Sequence, residues 1–145
     1  MPVNEPLIPE LCRRVLADVN RAVQGFARAH KYEVGADLRR EAMAVARAAD
    51  KAWYRPAERA RWVSELVDGV DNLKVTMQLA KDLKAFASWR QFEALVWLVE
   101  DLGKQCGGWH KQQKYLKGQN PARNDRAPER ARRLSTQAAS AEANP

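Results

Sequence analysis

The chain has 145 residues, a net charge of +7 and two cysteines. That is enough for one domain whose core buries roughly two thirds of the unfolded surface, and neither cysteine belongs to a metal-ligand spacing. No signal-peptide apolar region opens the chain and the longest apolar run, 94–99, is far short of a membrane span, so a cytoplasmic protein without a membrane partner is expected.

Ala, Arg, Leu and Val dominate, Gly and Pro are sparse before residue 118, and no long alternating run of Val, Ile or Thr occurs. This composition predicts an all-α fold. Pro6 and Pro9 precede a first helix that runs to about Ala29, with Leu11, Val15, Val19, Ala22 and Phe26 on its apolar stripe. The segment 30–35 is a connection. A second helix follows from Ala36 or Asp37 to Trp53, and its inner face (Leu38, Ala42, Val45, Ala46, Ala49) is mostly small, which permits close approach by its neighbours.

Pro56 suits the first turn of a third helix. Over 62–86, Val63, Leu66, Val70, Leu73, Met77 and Ala80 step by three and four, a stripe held for three heptads. Acidic Glu65, Asp68 and Asp71 precede basic Lys74, Lys81 and Lys84, an order that suits the helix dipole. Val75, Leu79 and Phe86 form a second apolar line. Ser88 and Gln91 fit a capping box that opens a fourth helix, with Phe92, Leu95, Val96, Val99, Leu102, Cys106 and Trp109 on one face and Trp97 and Leu98 elsewhere.

Four helices with short connections predict an antiparallel up-down-up-down four-helix bundle over 1–117. The remainder, 118–145, reads as a disordered basic tail. Cys12 and Cys106 would then lie near each other as reduced, buried thiols. The third and fourth helices carry more apolar surface than one bundle face can hide, which predicts packing against another copy of the chain.

Catalytic signatures are lacking. His30 and His110 have no partner at metal spacing, and no Arg precedes either with four to six residues between, as a helical HEPN-type ribonuclease would require: the slots hold Val23, Gln24 and Gly25, and Gly103, Lys104 and Gln105. There is no P-loop, dinucleotide fingerprint, nucleophile elbow or HExxH. A non-enzymatic protein with no cofactor and no metal is expected.

The bases are more informative. Residues 1–110 hold 17 Lys/Arg against 15 Asp/Glu, and residues 111–145 hold 8 against 3, so the basic excess lies at the C-terminal end. Arg14, Arg21 and Arg28 recur every seven residues on the first helix, Arg40 and Arg47 on the second, Lys74 and Lys81 on the third, Lys104 and Lys111 on the fourth. As solvated faces, some would form ordinary i,i+4 pairs, Arg14 with Asp18 and Glu100 with Lys104. As lines, they form a sequence-blind, salt-sensitive phosphate-binding surface, the reading favoured here. Reversal of Lys74, Lys81 and Lys104 is expected to weaken RNA binding while leaving the fold intact. Gly103 and Gly107 form a GxxxG spacing that reads either as close helix packing or as a helix fraying at Cys106. Trp109 reads as a plug at the bundle end rather than a base-stacking platform.

The segments HKYEVGADLRR, LKVTMQLAKDL and LVEDLGKQCGGWHK, in this order and spacing, resemble the accessory variability determinant (Avd) proteins of diversity-generating retroelements. They also resemble the related proteins encoded in 23S rRNA intervening sequences. The resemblance covers about Leu11 to Lys114. It implies a four-helix protomer in a homopentameric barrel that binds a reverse transcriptase and template RNA or cDNA in support of mutagenic reverse transcription. The alternative branch implies a structural or ribosome-associated bundle without a polymerase. The recognised pieces are mostly structural and transfer no binding site; the basic balance favours the retroelement branch.

Overall fold

The computed structural model describes residues 7–118. Within them the fold is all-α, with four long helices packed antiparallel as a bundle: α1 (Leu7–Gln24), α3 (Val34–Tyr54), α4 (Arg59–Asp82) and α5 (Trp89–Gly118), with a single turn α2 (Arg28–Lys31) between α1 and α3 and a 3-10 turn (Pro56–Glu58) before α4. The chain divides into compact units at His110. Of the second unit, the described part is the end of α5, where none of residues 111–118 is buried. Apart from Gly118, the expected tail lies outside the described residues.

In the first unit, α3 packs on both α1 and α4. Leu11 and Arg14 of α1 share a surface groove with Asp101 and Gln105 of α5. The ring order is therefore α1, α3, α4, α5, and α3 and α5 stand on a diagonal. The predicted stripes supply one continuous core, in which Leu38, Leu66, Leu73 and Leu102 are fully buried; each such burial contributes about 1.5–3 kcal/mol. Cys12 and Cys106 are both free and buried.

Helix ends differ from expectation for local reasons. The first helix stops at Gln24, five residues early, because Gly25 and Phe26 close a turn onto the carbonyls of Ala22 and Val23. Arg28 therefore opens α2 and is not on the helix that carries Arg14 and Arg21. The third helix starts at Arg59, whose guanidinium donates to the carbonyls of Ala52 and Trp53 at 2.8 Å, and it ends at Asp82 rather than 86. There Lys84 adopts φ 59°, its N–H bonds to the Lys81 carbonyl and the Ala85 N–H to the Ala80 carbonyl. This is a Schellman termination with a non-glycine residue in the left-handed position.

Phe86, just beyond that termination, stacks edge-on against Phe26 and Phe92, each at 5.2 Å. At the other end Trp53 meets Trp109 at 6.2 Å, so Trp109 packs against the core margin. The Ser88 hydroxyl accepts the Gln91 N–H at 3.1 Å, but the side-chain oxygen Oε1 of Gln91 is buried without a partner; the capping box is made on one side only.

Close approach occurs at glycines on α3 and α4. A Cβ at Gly35 would stand 2.7 Å from Val23, and one at Gly69 would stand 3.0 Å from Val45. Gly69 thus faces α3. By contrast, a Cβ at Gly107 or Gly108 would meet nothing within 4 Å, whereas at Gly103 it would meet the Lys74 ammonium at 2.9 Å. The GxxxG spacing therefore serves no close helix contact within the described residues; Gly103 makes room for a lysine.

α1 and α3 confine their apolar side chains to one face, while α4 and α5 do so far less. Val75 (69% exposed) and Leu79 (51%) on α4, and Trp97 (72%) on α5, point away from the core. No helix among the described residues is long and apolar enough to cross a membrane.

Candidate nucleic-acid interface

The nine nominated bases are spread over five helices. Arg14 and Arg21 lie on α1, Arg28 on α2, and Arg40 and Arg47 on α3; all five are exposed. Lys74 and Lys81 lie on α4 and Lys104 on α5. Lys111 lies in the second unit, exposed like Lys114 and Lys117 on its last turns.

Glu65 and Asp68 of α4 line a groove with Arg47 and Lys51 of α3. The α4–α5 side presents exposed carboxylates of its own, among them Glu93, Glu100 and Asp101 of α5. Lys74 and Lys81 are only partly exposed there. Lys74 pairs with Glu100 at 3.8 Å across the seam between the helices. Lys81 approaches Asp82 at 3.9 Å and stands 5.9 Å from the centre of the Phe92 ring. Lys104 borders a groove shared with Trp97, Glu100 and Asp101. Glu100 therefore pairs across helices and not along α5 with Lys104. Lysines held in this way belong to the seam, and reversing them would disturb packing as well as any phosphate contact.

On the α1–α3 side the guanidinium groups reach solvent. Asp18 pairs with Arg21, not with Arg14, and Asp37 pairs with Arg40. Arg13, which the seven-residue lines omit, bonds Asp50 of α3 at 3.2 Å. Exposed pairs of this kind are worth about 0–1 kcal/mol, so the arginines are available to a stronger anion. An Arg fork matches phosphate bidentately, and several such contacts give affinity without sequence preference.

A cation–aromatic cluster also escaped the sequence reading. Trp62 lies beneath Lys51 at 4.4 Å and Arg61 at 4.6 Å, and its indole N–H donates to Glu58 at 2.9 Å, which holds that carboxyl below its usual range. No periodicity marks this cluster, because its members come from α3, α4 and the 3-10 turn.

Burial raises the pKa of three groups. Burial, then Cys106 and Asp50 nearby, pushes the Cys12 thiol well up. Burial alone pushes Cys106 up to about 12. Burial also raises Glu41. Among the described residues, no group of three or more His, Cys, Asp or Glu is placed to hold a metal ion. Neither a family model nor a curated protein nor a solved structure matches this chain.

Proposed function

We propose that this chain is a non-enzymatic accessory protein of a diversity-generating retroelement. It assembles as a homopentamer, and it binds the reverse transcriptase and template RNA or cDNA to support mutagenic reverse transcription. The observation that carries the reading is the pairing of two features on one bundle. Arginines stand exposed along α1, α2 and α3, several of them paired with nearby aspartates, and apolar side chains stand uncovered on α4 and α5. The first suits a polyanion, the second a protein surface. In an assembly, each copy adds a few weak phosphate contacts and multivalency raises their sum.

Arg14, Arg21 and Arg28 are assigned to phosphate, with Lys104 and Lys111 as further contacts. The test is co-purification with a reverse transcriptase encoded beside the gene, together with RNA affinity measured against salt concentration. Binding that falls steeply with salt is expected, and Arg14→Glu, Arg21→Glu and Arg28→Glu together should weaken it at least tenfold, roughly, with a shallower salt slope. Failure to hold either the polymerase or RNA at low salt would defeat the reading.

A further inference from the structure

Trp97 is the most exposed tryptophan of α5, and it does not stand alone. Glu93 precedes it by four residues and Glu100 follows it by three, all three exposed on one line of α5. On the diagonally placed helix α3, Met43 is exposed between Arg40, three residues before, and Arg47, four residues after. The two lines share a length of about 10.5 Å, seven residues at the α-helical rise. Their charges are opposite, and each has an apolar side chain in the middle. Read antiparallel, the 4+3 spacing of one matches the other position for position, with Glu93 opposite Arg47, Trp97 opposite Met43 and Glu100 opposite Arg40.

From this register we infer that α5 of one copy docks antiparallel on α3 of a second copy, with Trp97 seated on Met43 and flanked by the two Glu–Arg pairs. The inference names the contact for the self-assembly proposed above and rests on that part of the reading. A thioether against an indole is a favourable contact, and it removes the most exposed tryptophan of α5 from water. The intramolecular neighbours of these charges are Asp37 for Arg40, Lys74 for Glu100 across the partly exposed α4–α5 seam, and Glu65 and Asp68 in the groove that Arg47 lines; pairs that touch solvent in this way are weakly held and can exchange. Because α3 and α5 are different surfaces, the contact is heterologous. It propagates from copy to copy, and closes into a ring when the rotation allows. It leaves Arg14, Arg21 and Arg28 outside the contact.

Sedimentation velocity of the full chain across the micromolar range tests this. Glu93→Arg with Glu100→Arg should weaken assembly at least tenfold, roughly, and Arg40→Glu with Arg47→Glu should do the same. All four changes in one chain restore the pairing with signs exchanged and should return assembly to within about threefold of the original. An assembled parent whose charge variants assemble equally well overturns the docking and leaves the ring standing. A parent that stays monomeric overturns the docking and the ring, while polymerase and RNA binding are judged by their own test. Undiminished assembly in Trp97→Ala, with loss of polymerase capture, would give this face to the polymerase and overturn the contact. Should circular dichroism show the charge variants unfolded, Met43→Cys with Trp97→Cys decides: oxidation should give disulfide-linked multimers, and their absence overturns the inference.

Discussion

Gly35 of α3 lies so close to α1 that a Cβ on it would stand 2.7 Å from Cγ1 of Val23. The same point lies 3.2 Å from the His30 carbonyl and 3.4 Å from the Phe26 ring, so the site is crowded by backbone as well as side chains. Gly35→Ala is therefore an overpacking substitution at a buried position. It should destabilise the bundle by about 1–3 kcal/mol, measured as a lower urea midpoint with an unchanged slope. Gly107→Ala, where a Cβ meets open space, should instead gain up to about 1 kcal/mol from helix propensity.

Lys84 holds a left-handed conformation, φ 59°, at the end of α4. Its N–H bonds the Lys81 carbonyl, so the backbone bonds of the termination do not depend on the side chain. Lys84→Gly relieves the steric cost of the Cβ and should raise stability by about 0.5–1 kcal/mol, visible as a higher melting temperature. Lys84→Val, β-branched in the same conformation, should lower it.

Glu41 has a carboxylate oxygen that is buried without a hydrogen-bond partner. Burial raises its pKa above the ordinary 4.5, only partly offset by a hydrogen bond from Thr76. A carboxyl raised in the folded state binds a proton there more readily than in the unfolded chain. Its charged form thus costs stability at neutral pH, and the cost fades as pH falls through the folded value and is gone below 4.5. Glu41→Gln should therefore be more stable than the parent at pH ~7, and the two should converge in acid. Unfolding curves at both pH values measure the difference.

Cys12 and Cys106 are buried, and burial raises both thiols. Neither should react with a thiol reagent in the folded chain at pH ~8, because thiolate and access are both lacking. Addition of denaturant should release two equivalents. Fast labelling without denaturant would show that the α1–α5 seam opens.

The core was legible because it is periodic. Every position of the α4 stripe from Val63 to Ala80 is buried, and the exposed Val75 and Leu79 were visible as a second line. The stops were less legible. Arg28 keeps the heptad step of Arg14 and Arg21, yet Gly25 ends the helix between them, and a repeat in sequence survives a turn that it does not survive in space. The pairing of Lys74 with Glu100 was hidden for a related reason: spacing along one helix reports neighbours three and four residues away, not those across a seam. The same limit concealed Arg13 with Asp50 and the cations on Trp62.

Phe86 touches both Phe26 and Phe92; Phe26 and Phe86 belong to two turns sixty residues apart in sequence, and Phe92 to the first turn of α5. Neither turn can loosen without uncovering a ring that the other needs. Fraying from this end must begin as one event that frees both connections together, so their amides should exchange with deuterium in step. The bundle is latched at this end by a hinge pin of three aromatic side chains.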